Sequence, residues 1–91
     1  MSYRVHSIIV SLRELNPEAI LADGYEDAII GWSCNLHHST VAVYDLRRAI
    51  EVLMLRDGLA EEDARRQLDY SVLSDVRENM PLFVETPEPL V

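Results

Sequence analysis

The sequence predicts an α+β fold: a three-stranded antiparallel sheet, two C-terminal amphipathic helices packed on one face of it, and a short N-terminal helix. Three observations carry this expectation. Short apolar runs bounded by turn residues recur between residues 19 and 44. An apolar stripe at Leu46, Ala49, Ile50, Leu53 and Met54 then repeats at helical spacing. A second, highly charged helical pattern begins at Glu61. A chain of 91 residues has room for one domain, expected over residues 1–84, with 85–91 as a mobile tail rich in Pro and Glu.

Each element has its own local reason. Ile8, Ile9, Leu12 and Leu15 have helical spacing within residues 6–16, although the β-branched run around Val5 and Ile8–Val10 also suits a strand. Asn16-Pro17 ends either element, because a residue before proline avoids the α region. The apolar run Ala19–Ala22 stops at the turn dipeptide Asp23-Gly24 and is the first candidate strand. Ala28–Cys34 reads as the second and Thr40–Tyr44 as the third, joined through a polar loop in a simple meander. On the third strand Ala42 and Tyr44 point to one face, Val41 and Val43 to the other.

Asp45 stands where an N-cap belongs, and its carboxylate is expected to accept the first-turn N–H groups of a helix over residues 45–57. Gly58 suits the left-handed C-cap. A second helix is expected from Glu61 to about Val76. Glu61-Glu62-Asp63 complements its dipole, and Glu61–Arg65 and Glu62–Arg66 have the favourable i,i+4 order. Its buried stripe is Ala64, Leu68 and Val72, and Pro81 bars further helix. Leu82–Val84 can add a short edge strand.

Charge narrows the function. Sixteen acids against eight bases give a formal net charge of −8, and every base is Arg. Such a chain lacks the attraction to phosphate on which nucleic-acid binding rests. The charge serves solubility alone, or it suits a basic groove on another protein. No apolar run is long enough to span a bilayer, and the N-terminal run is too short for a signal-peptide core, so a cytoplasmic protein is expected. Cys34 is the single cysteine, which excludes an intrachain disulfide and fits a reducing compartment.

Two loops could carry chemistry. Asp23, Glu26 and Asp27 form an acidic loop around Tyr25, with Gly24 permitting a sharp bend. Tyr25 is a partner-contact candidate if its ring faces outward; in the opposite arrangement it folds back onto the sheet and the acids solvate the turn. These four residues are the expected partner-binding site. Three carboxylates could also hold Mg²⁺ or Ca²⁺, but the spacing is not that of an EF-hand. Cys34, His37 and His38 resemble half of a metal site, with His6 as a distant third imidazole, yet adjacent side chains do not converge on one ion. A catalytic thiol needs a positioned base or cation that Cys34 lacks in sequence, and a buried thiol is the simpler expectation. Trp32 is core if its face is covered and an interaction anchor if it is open. No catalytic residue and no cofactor is expected.

Three stretches resemble a family of small hypothetical phage and prophage proteins. Residues 14–31, running from Glu14-Leu-Asn-Pro to Asp27-Ala-Ile-Ile-Gly31, resemble its opening. Val43–Met54 and Arg56–Ala64 resemble its middle, and Met80–Val84 its ending. The likeness covers about residues 14–84 in order. It implies a phage context and no specific activity. This chain departs from the pattern at Ser33–Ser39, at Ala60 where a capping Ser is usual, and at Ser74–Asn79. The leading expectation is a non-enzymatic protein-binding module that modulates or inhibits a host complex, anti-defence roles such as anti-CRISPR included. The alternatives are a small metal- or ligand-binding domain or enzyme built on one of the two loops, and a homo-oligomeric phage accessory protein, the simplest being a homodimer.

Overall fold

The computed structural model describes residues 3–34, 39–73, 77–85 and 87. Helix α1 spans Tyr3–Leu15, strand β1 Ile29–Trp32, strand β2 Ala42–Asp45, helix α2 Leu46–Asp57, helix α3 Glu61–Leu68 and strand β3 Leu82–Val84. A 3-10 turn, Glu26–Ala28, leads into β1, and a π-helical turn, Asp69–Leu73, continues α3. The architecture is α+β.

The N-terminal ambiguity resolves to helix. Val5 and Leu12 of α1 are buried, and Ile8 and Ile9 pack against the same core. Asn16 then ties three segments together. Its Nδ2 donates to the Thr40 carbonyl at 2.7 Å and to Asn79 Oδ1 at 3.0 Å, while its Oδ1 accepts from the Glu18 N–H at 3.1 Å.

Among the described residues the sheet has three strands in the order β1-β2-β3, and it is mixed, not antiparallel throughout. β1 and β2 are antiparallel, with Ile29 opposite Tyr44 and Trp32 opposite Ala42. β3 runs parallel to β2, with Val43 opposite Leu82 and Asp45 opposite Val84. The expected strand at Ala19–Ala22 does not form. The Ile20 N–H donates to the Asn79 carbonyl at 2.9 Å and the Ala22 N–H to Tyr44 Oη at 2.9 Å, so its donors are spent outside any ladder. The third strand comes from the far end of the chain. A parallel partner needs a long crossover, and α2 and α3 supply it.

Helix α2 matches its stripe. Leu46, Ala49, Ile50 and Leu53 are buried, Met54 packs against the core, and Leu55 is 88% exposed. Gly58 closes the helix at φ +66°, in the left-handed region. Asp45 takes the N-cap position but makes no side-chain cap hydrogen bond. It is also the last residue of β2, held opposite Val84, and its Oδ1 is buried with no hydrogen-bond partner among the described residues.

Helix α3 ends as regular α-helix at Leu68, earlier than Val76, where the backbone passes into the π turn. Ala64 and Leu68 are buried; the Val72 side chain and residues 74–76 lie outside what is described. The expected i,i+4 pairs are replaced. Arg65 bonds Glu85 at 3.2 Å, which β3 has brought alongside, and Arg66 bonds Asp63 at 3.4 Å. Both pairs are solvent-exposed and contribute little. Of the expected tail, Glu85 is thus tethered, while 86 and 88–91 fall outside the described residues.

Candidate functional site

The acidic loop is built on a buried tyrosine. Gly24 turns at φ +93°, a conformation L side chains rarely adopt, and its N–H donates to Glu26 Oε1 at 3.2 Å. The Tyr25 N–H donates to the Ala22 carbonyl at 3.1 Å, and the Ala28 N–H to the Tyr25 carbonyl at 2.9 Å. These bonds fold the loop inward. Tyr25 is only 5% exposed, whereas Asp23 and Asp27 are exposed and Glu26 is half-buried. Of the two arrangements open to Tyr25, the chain has the one that folds back. The ring does not offer partner-contact area; the surface of the loop is its carboxylates.

What holds Tyr25 is a circuit of aromatic contacts. Its ring meets Phe83 of β3 edge-on, with centroids 6.5 Å apart and planes at 88°. Phe83 stacks on Tyr44 of β2 at 5.0 Å. Tyr44 Oη accepts from the Ala22 N–H, and Ala22 bonds back to Tyr25. Such ring pairs contribute about 0.5–1.5 kcal/mol each beyond their buried area. Arg56 covers the remaining side, its guanidinium carbon 5.4 Å from the Tyr25 centroid and Nη1 donating to the Gly24 carbonyl at 3.3 Å. Burial, with smaller contributions from the Glu26 and Asp23 charges, pushes the Tyr44 phenol above its ordinary value of 10.0, partly offset by the Ala22 hydrogen bond.

Sequence reasoning located the carboxylates but missed Arg56, Phe83 and Tyr44 as their supports. Arg56 carries no local signal, since it sits in the last turn of α2 beside Asp57, where a base merely suits the dipole. Phe83 is the chain's one Phe, on a strand too short to be read with its partner.

The other candidates are less developed. Cys34 is exposed, not buried as expected. His37 and His38 lie outside the described residues, and His6 is exposed on α1. Among the described residues no three His, Cys, Asp or Glu side chains form a group that could hold a metal ion, so Asp23, Glu26 and Asp27 do not converge as ligands. Trp32 is half-buried and packs against the core cluster. Among the described residues no helix is long and apolar enough to cross a membrane. No protein-family model, curated protein or solved structure matches the chain.

Proposed function

We propose that this chain is a non-enzymatic protein-binding module whose Asp23, Glu26 and Asp27 carboxylates engage a basic surface of a host complex. In the phage context that the sequence resemblance implies, that partner is a complex with a nucleic-acid groove, defence complexes included, and the module modulates or inhibits it.

The observation that carries this reading is the burial of Tyr25 beneath an exposed acidic loop. A loop pinned by a ring circuit and an Arg presents its carboxylates already ordered, so binding loses less conformational entropy. A net charge of −8 speeds encounter with a basic surface and disfavours acidic ones. Tyr25 acts as the anchor of the loop and not as a contact.

The test is affinity capture from host lysate, with wild-type protein and an Asp23→Asn/Asp27→Asn variant as parallel baits. A basic protein retained by the first and lost by the second supports the reading. Equal retention, or no specific protein on the wild-type bait at moderate salt, counts against it.

A further inference from the structure

Helix α1 meets the core along one line and leaves the opposite line bare. Val5 and Leu12 are buried, and Ile8 and Ile9 pack against the same core. At 3.6 residues per turn, Tyr3, Ser7, Val10 and Glu14 fall on the side opposite Val5 and Leu12. All four are exposed, Tyr3 at 87% and Val10 at 44%. Arg4, His6 and Arg13, which flank this row, are exposed as well. The row advances by four, three and four residues, the spacing of a seam between two packed helices.

The charges of α1 are ordered against its own dipole. Arg4 stands in a first turn that holds no acid, and Glu14 stands in the last turn beside Arg13. A helix favours acids at its start and bases at its end. Neither Arg4 nor Glu14 forms an ion pair among the described residues. An antiparallel copy of the same helix supplies what is missing, because its Glu14 end lies at the Arg4 end of the first copy, and the reverse. At a net charge of −8, two copies repel over most of their surface. Residues 3–13 hold two Arg and no acid, so this face is one on which two acidic chains can meet.

We infer that the exposed row of α1 docks a second copy of this chain, antiparallel, about a two-fold axis that passes between Ser7 and Val10. Ser7 of each copy lies opposite Val10 of the other, and the small Ser7 leaves room for the valine. Tyr3 lies opposite Glu14 of the second copy, and its hydroxyl donates to that carboxylate. Arg4, on the same flank, pairs with it too. A parallel pair sets Glu14 against Glu14, so this polar seam residue fixes the direction. Every contact occurs twice, as an isologous interface requires. The seam is about 20 Å long. Val10 is its one aliphatic side chain per copy, so the interface falls short of the roughly 1,000 Å² of a stable one, and the dimer forms reversibly at high concentration. It uses no residue of the Asp23–Asp27 loop and stands whether or not that loop binds a host complex.

Sedimentation equilibrium of the full chain from about 10 μM to 1 mM is the test, and wild type should pass from monomer toward dimer over that range. Arg4→Glu sets acid against acid across the seam, and Glu14→Arg sets base against base. Each should weaken the dimer at least about tenfold. Glu14→Arg also makes the chain less negative, so general repulsion between copies would change association in the opposite direction. Both positions are exposed, and thermal melts check that each variant stays folded. Mixed in equal amounts, the two variants should associate about as well as wild type, since each supplies the charge that the other lacks. The Arg4→Glu/Glu14→Arg chain should recover by the same logic. A wild type that stays monomeric at every concentration overturns the inference. So does a dimer that either single substitution leaves unchanged, or one that mixing the two variants fails to restore.

Discussion

Arg56 and Tyr25 form a cation–π pair, with the guanidinium carbon 5.4 Å from the ring centroid, and the same guanidinium donates to the Gly24 carbonyl. The last turn of α2 thereby grips the acidic loop from outside while Phe83 supports it from within. A Cβ added at Gly24 would stand 2.6 Å from Arg56 Nη1, at a backbone φ of +93°. Arg56→Ala should cost about 0.5–1 kcal/mol, the usual worth of an exposed cation–π pair. Gly24→Ala should cost about 1–2 kcal/mol through the left-handed backbone, plus the displaced Arg56 contact. Because the second substitution already dislodges Arg56, the double variant should lose less than the sum. Urea denaturation of the four proteins measures the coupling; strict additivity would show that Arg56 does not hold the loop.

Tyr44 gives the fold a dependence on alkaline pH. Its folded value is raised mainly by burial, so the folded state keeps the phenolic proton to higher pH than the unfolded chain does. The sign follows: this contribution is complete below pH 10.0 and is lost as pH rises from there through the folded value. Tyr44→Phe should flatten the alkaline limb. It should also cost about 1–3 kcal/mol near neutrality, because the buried Ala22 N–H loses its acceptor. Thermal melts between neutral and strongly alkaline pH check both effects, and an unchanged alkaline limb would contradict the assignment.

Helix α3 begins uncapped. Ala60 occupies the N-cap with φ −71° and ψ 159°, a backbone already suited to a capping side chain. Ala60→Ser should therefore stabilise the protein by about 0.5–2 kcal/mol. The denaturant midpoint should rise with the slope unchanged; no shift would mean that a side-chain cap at the start of α3 adds nothing to stability.

The parts legible in the sequence are those whose reason is local. The stripe of α2 and the glycine at its end are repeated within one helix, so Leu46, Ile50, Leu53 and Gly58 could be placed from spacing alone. The strand around Ala42–Tyr44 was marked by β-branched residues and alternation. What could not be read depends on partners distant in sequence. Ala19–Ala22 has strand composition, but Asn79 and Tyr44 take its donors. Leu82–Val84 is three residues long, and its parallel pairing depends on how two helices return the chain. Asp45 is a good cap by type and takes the extended cap backbone, yet its side chain makes no cap hydrogen bond. At the loop, the carboxylates were evident, while the inward turn of Tyr25 required a Phe and an Arg from other elements.

We propose that the Asp23–Asp27 carboxylates, held in place by Tyr25, form the contact with a basic protein partner. The most direct test is equilibrium titration of the captured partner against wild-type protein and Asp23→Asn/Asp27→Asn over a range of salt concentrations, with thermal melts of both proteins. The variant should melt like wild type and bind at least about tenfold more weakly at low salt, with a shallower loss of affinity as salt rises. Equal affinity and equal salt dependence for the two proteins would contradict this contact.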